Sequence, residues 1–281
     1  MTKKRIVIFP IPAQKRMIFL LVALLILMLF PFLEMVSTAL KSRIELLAFP
    51  PRWLPKSLQF MNFLSVWVYV PFGRYFINSS IIALGATALN ALASIPAGYA
   101  LARLVFPGRR VFMILVLGTQ MFSPVVLLVA LFKLMNQWHL LNTHISLIIA
   151  NAVVTLPLSV WLMTAYFATI PIEIQEAALI DGAGWFRIFY DHYLRLAIPG
   201  VITTMTFTFI LSWNEFLYAL TFISDANRRP LTTGIFAFVG RSEIQWNYLM
   251  AGSVTAIIPV FILFLIIQKR LVSGMTSGSI R

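Results

Sequence analysis

The sequence contains no cysteine, so disulfide bonds, thiolate metal sites and cysteine nucleophiles are excluded. Acidic residues are scarce, with 9 Asp and Glu against 22 Lys and Arg, and there are only 3 His. No Gly-x-x-x-x-Gly-Lys-Ser/Thr sequence occurs, so the chain lacks the phosphate-binding loop of P-loop ATPases. These absences predict a chain with no catalytic residues, no bound cofactor and no metal site of its own.

Hydrophobic residues are abundant by contrast, at 60% of the chain, while charged residues make up 11%. Such a composition, with repeated long uncharged runs, is typical of multi-spanning membrane proteins. The net charge of +13 could also indicate a nucleic-acid partner. However, the basic residues flank apolar segments, where anionic lipid headgroups attract them, and no basic patch is interleaved with stacking aromatics. We therefore predict a lipid membrane as the environment and no nucleic-acid partner.

Six uncharged windows are long enough to cross a bilayer, which requires about 20 helical residues. They predict an all-α polytopic membrane protein with six transmembrane helices, built as a single membrane domain over residues 1–281. An even number of spans places both termini on one side of the membrane. The predicted spans are Met17–Leu33 (extendable to Thr38), Tyr75–Ala102, Val111–Phe132, Ile145–Ile172, Leu196–Asn214 (continuing to Ser224) and Ile244–Gln268.

The distribution of Lys and Arg predicts the orientation, because cytoplasmic loops carry an excess of positive charge. The short loop 103–110 has three Arg, whereas the loop 133–144 has one Lys. The basic residues 1–15 precede a long apolar run and are typical of a retained signal-anchor. Both termini are thus expected in the cytoplasm, and the proline-rich loop 40–74 is expected outside as an irregular segment.

A polar segment, residues 171–197, separates the fourth and fifth predicted spans. Pro171 suits the first turn of a helix, and Glu173 and Glu176 lie near its positive end. Gly182 and Gly184 reach left-handed backbone angles without steric cost, so they favour a helix end. The pattern predicts two short helices at an angle, Pro171–Asp181 and Trp185–Ala197.

The second of these helices is predicted to be amphipathic. Charged residues recur every four positions on one face, and aromatic residues follow helical spacing on another. From the residues alone, an amphipathic connector without any partner remains an equal alternative to a docking element. The charged residues are Arg187, Asp191 and Arg195, and the apolar ones are Phe186, Phe189, Tyr190, Tyr193 and Leu194.

The order of residues in this segment resembles the EAA loop of ABC-importer permeases. In that pattern EAA is followed by three residues, Gly, nine residues and Ile-x-Leu-Pro. The EAA triplet at 176–178, Gly182 and Leu194 match, whereas His192 and Arg195 replace the isoleucine and the proline. The resemblance implies a cytoplasmic coupling loop at 171–197 that docks on a partner ATPase. The coupling residues would be Glu176, Ala177, Ala178, Asp181 and Gly182.

Further stretches are similar to the carbohydrate-uptake branch of these importers, and they extend the resemblance over nearly the whole chain. They are 212–220 (Ser-Trp-Asn-Glu-Phe-Leu-Tyr-Ala-Leu), 230–235 (Pro-Leu-Thr-Thr-Gly-Ile) and 268–278 (Gln-Lys-Arg-Leu-Val-Ser-Gly-Met-Thr-Ser-Gly). The resemblance implies a type I ABC-importer permease fold in the bacterial cytoplasmic (inner) membrane. It implies three kinds of partner component: a second homologous permease in a heterodimer, two ATP-binding-cassette subunits that use ATP and Mg, and an external solute-binding protein.

The same likeness implies that the C-terminal tail contacts the ATPase, with a frayed, solvated end as the alternative. The tail residues concerned are Ser273, Gly274, Thr276 and Ser277.

Glu215 is a carboxylate within an apolar span, where a bare charge costs several kcal/mol. It is expected either to face a solute path or to hydrogen-bond another helix. Neighbouring polar residues give a candidate solute path of Asn214, Glu215, Tyr218 and Asn151, although Asn151 also suits a helix-to-helix contact. The alternative function, from another class, is a proton-coupled secondary transporter with Glu215 as its ion site.

Overall fold

The computed structural model describes the backbone of residues 11–240 and 243–276. It also describes their side chains, except those of 11–14, 16 and 269–276. Within these ranges the chain is helical apart from loops and one isolated bridge between Val239 and Ile244. The helices are α1 (Ile11–Ala39), α2 (Arg43–Leu46), α3 (Met61–Tyr69), α4 (Phe72–Arg103), α5 (Arg109–Gly118), α6 (Pro124–Gln137), α7 (His144–Thr169), α8 (Glu173–Ile180), α9 (Trp185–Leu196), α10 (Ile198–Trp213), α11 (Leu217–Phe222), α12 (Leu231–Ile235) and α13 (Trp246–Thr276).

Four stretches are continuous helices that are long and apolar enough to cross a bilayer, and two bent pairs bring the total to as many as six. This agrees with the predicted all-α membrane class. The four continuous stretches are Met17–Ala39, Phe72–Arg103, His144–Thr169 and Trp246–Gln268, and each coincides with a predicted span.

The predicted span Val111–Phe132 is not a continuous helix but falls within one of the bent pairs, because the chain bends by 100° between Met121 and Pro124. Proline disfavours helical geometry in the residue before it, and Ser123 is extended with ψ of 137°. The hydroxyl of Ser123 then accepts a hydrogen bond from Val125 N at 3.4 Å, which begins α6. The uncharged segment 111–132 therefore contains parts of two helices, α5 and α6.

The predicted continuation of the fifth span from Asn214 to Ser224 is also wrong. Helix α10 ends at Trp213, and α11 begins only at Leu217. The Nδ2 atom of Asn214 donates to the carbonyl of Ile210 at 2.9 Å, so this side chain turns back onto the helix that it ends. The expected irregular loop 40–74 likewise contains α2 and α3.

The described residues divide into two compact units by backbone contacts: residues up to 66 with 238–255, and residues 67–237 with those from 256 onward. In the first unit, Lys41 Nζ lies 3.0 Å from Glu34 Oε1, and the Lys41 side chain is 3% exposed. Asn62 Nδ2 donates to the carbonyls of Ala39 (2.8 Å) and Lys41 (3.0 Å). These bonds fix α3 against the end of α1.

In the second unit, α4, α7 and α10 pack together through small and polar residues, as membrane helices commonly do. A Cβ at Gly98 would lie 2.6 Å from the Cβ of Met163, so α4 and α7 are in close contact. Asn90 Nδ2 donates to Thr155 Oγ1 across the same pair at 2.9 Å, a hydrogen bond between two helices. This packed trio positions the polar segment that follows α7.

Candidate functional site

The segment 171–197 forms a helix, a glycine turn and a second helix, as predicted, although α8 and α9 are shorter than the predicted ranges. Helix α8 ends in a Schellman motif: Ala183 N donates to Ala178 O (2.9 Å) and Gly182 N to Leu179 O (3.0 Å). Gly182 has φ of 76°, the left-handed value that this motif requires. Gly184 has φ of −72°, so the left-handed role predicted for it is wrong.

Four of the five predicted coupling residues lie on the exposed surface of this turn: Glu176, Ala177, Asp181 and Gly182. Across residues 11–240 and 243–276, the Glu176 carboxylate makes no hydrogen bond or ion pair. The fifth residue, Ala178, is only 4% exposed and lies in the core beneath the segment. Ala178 therefore packs inward, while its neighbour Ala177 presents the small side chain outward.

The aromatic face predicted for the second helix is only partly correct. Tyr193 is fully buried, but Phe186 is 82% exposed and Tyr190 is 58% exposed. The reason is a π-helical stretch, Ile188–Tyr193, in which hydrogen bonds span five residues rather than four. This changes the helical register, so Ile188 and Tyr193, five residues apart, are the two buried side chains.

The predicted charged face of α9 is present. Asp191 lies between two arginines, 3.4 Å from Arg187 Nε and 4.0 Å from Arg195 Nη2. All three side chains are exposed, so these pairs are in high-dielectric surroundings and contribute little to stability. They present an ionic surface beside the exposed residues of α8.

A cluster of buried side chains attaches the segment to the ends of α4 and α7. This cluster, called the anchor core below, contains Tyr99, Met163, Phe167, Ile170, Ala178, Ile188, Tyr193 and Ala197. The rings of Tyr99 and Tyr193 meet at 5.2 Å with an interplanar angle of 63°. Aromatic pairs in this edge-to-face geometry add to the stabilisation from burial alone. The segment is thus exposed on one side and packed on the other.

Arg103, the last residue of α4, contacts this core in a way that sequence reasoning missed. Its Nη2 donates to the carbonyl of Phe167 at 2.6 Å and to that of Ile170, at the end of α7. Its Cζ lies 5.0 Å from the centre of the Tyr193 ring. Burial raises the pKa of the Tyr193 phenol, and Arg103 opposes this shift, so the ring is uncharged at neutral pH. The contact is therefore a cation–π interaction.

Three of the predicted solute-path residues, Asn214, Glu215 and Tyr218, lie at the break between α10 and α11. Glu215 accepts backbone hydrogen bonds from Tyr218 N (2.6 Å) and Ala219 N (3.0 Å), one to each carboxylate oxygen. These are N–H groups at the start of α11 that lack helical partners. Asn214 is exposed, whereas Asn151 is buried and donates to Leu147 O in its own helix at 2.8 Å. The structure therefore places Asn151 away from the helix-to-helix role.

The two helix breaks lie next to each other, because the Tyr218 hydroxyl donates to Pro124 O at 3.3 Å. A cavity of about 540 Å³ adjoins the first break, and Thr119, Gln120 and Phe122 line it. Gln120 Nε2 donates to Val154 O at 3.2 Å. Non-helical backbone at membrane depth is tolerated where protein or a water-filled cavity covers it. Gln120 was not predicted from the sequence, because the hydropathy of this uncharged run does not show the break between Met121 and Pro124.

The expected tail contact falls largely beyond what the structure describes. The backbone of Ser273, Gly274 and Thr276 continues α13, and Ser277 lies outside the described residues. No group of three or more His, Asp or Glu that could hold a metal ion is found among the described residues.

Residues 94–277 match the family model described as the inner membrane component of binding-protein-dependent transport systems. The sulfoquinovosyl glycerol transport system permease protein SmoH of Agrobacterium fabrum is 36% identical over 90% of this chain and 89% of its own length. The trehalose/maltose transport system permease protein MalG of Thermococcus litoralis is 35% identical over 95% and 97%.

A solved structure gives the same fold. The crystal structure of a bacterial ABC transporter involved in the import of the acidic polysaccharide alginate aligns with a TM-score of 0.78, covering 93% of this chain and 98% of the other, at 23% identity. The architecture is thus that of an ABC-importer permease, as the sequence predicted. The chain belongs to the family of inner membrane components of binding-protein-dependent transport systems.

Proposed function

We propose that this chain is the permease subunit of an ATP-driven, binding-protein-dependent importer for a carbohydrate-type solute. The relatives support the solute class, since several are named for sugar derivatives, among them sulfoquinovosyl glycerol, trehalose and maltose. In this proposal residues 1–281 act as one membrane domain with cytoplasmic termini. Residues 171–197 form its cytoplasmic coupling loop, on the side where short loops carry the most Arg.

The observation that carries the proposal is the two-sided coupling segment. Glu176, Ala177, Asp181 and Gly182 are exposed, while Ala178, Ile188 and Tyr193 are buried in the anchor core. An exposed carboxylate suits a cation or a backbone donor on a partner, and a small side chain such as that of Ala177 permits close approach. Because the buried side packs on α4 and α7, a displacement of the exposed side moves the membrane helices.

The partners follow from the family. The proposed complex contains a second homologous permease, two ATP-binding-cassette subunits and an external solute-binding protein. ATP and Mg are used by the ATPase subunits, and this chain contributes no catalytic group. The tail residues Ser273, Gly274, Thr276 and Ser277 are proposed to contact the same ATPase surface.

The solute path is proposed to run along the two helix breaks. Asn214, exposed at the second break, and Gln120, beside the cavity at the first, offer amide groups that suit sugar hydroxyls. Glu215 and Tyr218 would shape this path by holding α11 in place. Glu215 accepts hydrogen bonds from backbone N–H groups of α11, and the Tyr218 hydroxyl donates to Pro124 O. Asn151, buried in α7, would support the path from behind.

The geometry of Glu215 weighs against the proton-coupled alternative. Both of its oxygens accept backbone hydrogen bonds, a use of the carboxylate that explains its position without any transported proton. The exposed acidic turn at Glu176, by contrast, has no role in a transporter that works alone. The importer therefore accounts for both carboxylates.

Purification of the tagged chain from its native membranes in mild detergent, followed by reconstitution into liposomes, tests the proposal. We expect an ATPase and a second permease to co-purify, and we expect uptake to require ATP and to be blocked by vanadate. A chain that purifies alone and moves solute in response to a proton gradient would contradict the proposal.

A further inference from the structure

Arg103 lies where three elements meet: the end of α4, the end of α7 and the π-helical part of α9. It belongs to α4, and its guanidinium donates to the carbonyls of Phe167 and Ile170 at the end of α7. The last carbonyls of a helix lack partners within the helix, and the helix dipole makes them attractive to a cation. Arg103 thus binds the C-terminal end of α7 from the end of the neighbouring span.

The same guanidinium also contacts the coupling segment, with its Cζ 5.0 Å from the Tyr193 ring centre. The Tyr193 side chain is fully buried and packs against Tyr99 of α4 and Phe167 of α7. A planar guanidinium can donate hydrogen bonds in its own plane and at the same time pack its face against an aromatic ring. The ammonium group of lysine cannot make both contacts in this way. One side chain therefore joins two spanning helices to α9.

Apart from the hydroxyls of Tyr99 and Tyr193, the other side chains of the anchor core are apolar. Ile188 and Ala197 are fully buried in the anchor core, and such packing is not directional. The hydrogen bonds of Arg103, in contrast, fix both distance and angle. These bonds hold the guanidinium of Arg103 in place at the end of α7, and Tyr193 of α9 packs against that guanidinium.

We propose that Arg103 is a positioning residue for coupling: it transmits displacement of the segment 171–197 to α4 and α7 through its contacts with Tyr193 and the carbonyls of Phe167 and Ile170. This inference rests on the proposed function, because it assumes that an ATPase drives the segment. It identifies which side chain carries the motion from the docking surface into the membrane helices.

The test measures, in proteoliposomes of the complete complex, the number of solute molecules imported per ATP hydrolysed. We expect Arg103→Gln and Tyr193→Leu to lower this ratio about fivefold or more, within the usual range of coupling between sites. Arg103→Lys should also lower it, since lysine lacks the planar fork. Tyr193→Phe keeps the ring and should stay near the wild-type ratio. Arg110→Gln, at an exposed arginine in the first turn of α5, is the matched control for loss of charge.

A double variant separates coupling from general damage. If Arg103 acts through Tyr193, the variant with both Arg103→Gln and Tyr193→Leu should be no worse than either single variant. A wild-type ratio in Arg103→Gln would overturn the inference, and so would a proportional fall in uptake and hydrolysis with the ratio unchanged. If Arg103→Gln fails to assemble, the comparison of Tyr193→Leu with Tyr193→Phe decides, and equal ratios in these two would overturn the inference.

Failure of the proposed function gives a different result. In that event the wild-type complex itself would show no ATP-dependent uptake, and no ratio could be defined for any variant.

Discussion

Two carboxylates, Glu176 and Glu215, occupy opposite situations in this protein. Glu215 is half-buried at a helix break, and its two oxygens accept backbone hydrogen bonds of 2.6 and 3.0 Å. Glu176 is exposed on α8, and among the described residues it has no hydrogen bond or ion pair. The fold therefore uses Glu215 internally and leaves Glu176 available to another molecule.

Whether the fold hydrogen-bonds a polar side chain distinguishes structural from functional residues better than polarity alone does. Both are acidic residues in a chain with few of them, and each attracts attention in the sequence. A buried carboxylate costs free energy unless the fold supplies hydrogen bonds, so the bonds to Glu215 explain its presence. Glu176 is exposed and needs no such bonds, and its place in the first turn of α8 contributes only a modest helix-dipole stabilisation. Variants at the two sites should accordingly differ in whether they reduce stability or transport.

The largest effect is expected at the turn beside Glu176. Gly182→Val places a β-branched residue at φ of 76°, which costs about 1–3 kcal/mol, although nothing lies within 4 Å of a Cβ there. The turn should deform, and uptake should fall about tenfold or more, since 1.4 kcal/mol corresponds to a factor of ten. Uptake into membrane vesicles, with the amount of inserted chain measured by immunoblot, checks this.

Gly184→Ala is the matched control. Gly184 has an ordinary φ of −72° and equally open surroundings, so an added Cβ meets no strain. Uptake near the wild-type level is expected. Equal losses in the two variants would show that the left-handed geometry of Gly182 is irrelevant to transport.

Charge reversal at Glu176 should give the next largest effect. Glu176→Lys removes no internal hydrogen bond, but it places a cation in the first turn of α8, so the free energy of unfolding should fall by about 1 kcal/mol. It would place a cation where a partner is expected to offer one, and like charges at an interface cost several kcal/mol. ATP-dependent uptake should therefore be severely reduced while the thermal stability of the chain in detergent falls only slightly.

Glu215→Ala should show the reverse pattern, with a smaller effect. It leaves two N–H groups at the start of α11 without acceptors, and the loss of a helix cap costs about 1 kcal/mol. A lower melting temperature is expected, with uptake per folded complex largely retained. Loss of all uptake with unaltered stability would instead assign Glu215 to transport directly.

The smallest effect is expected on the ionic face of α9. Asp191→Asn removes two exposed ion pairs, each worth at most about 0.5 kcal/mol and weakened by salt. Melting temperature should scarcely move. Uptake then shows how far the docking surface extends: an unchanged value confines it to α8 and the glycine turn, whereas a clear loss extends it onto α9.

Much of this architecture could be predicted from the sequence. Hydropathy located the four continuous spanning helices, and Gly182 marked the end of α8, because both signals are local. The sequence signal for the break before Pro124 is also local, but hydropathy did not detect it because the surrounding run is uncharged. A hydropathy window gives no weight to the effect of proline on Ser123.

Other features depend on tertiary packing, which a single sequence does not reveal. The phase of α8 was ambiguous because Ala177 and Ala178 are adjacent and equally small, and only packing in the anchor core shows which one is buried. The π-helical register of Ile188–Tyr193 similarly altered the predicted aromatic face. Arg103 was interpreted as a topological charge, since its bonds to Phe167 and Ile170 span more than 60 residues.

Site-specific cross-linking tests the central claim most directly, because the chain has no native cysteine. Ala177→Cys would place a single thiol on the exposed side of α8, and Ala178→Cys would place one on its buried side as the matched control. With a short thiol-to-amine cross-linker in native membranes, we predict that Ala177→Cys forms a product with a P-loop ATPase subunit and that Ala178→Cys does not. Modification of Ala177→Cys by a membrane-impermeant reagent added outside, with no ATPase product, would contradict the account.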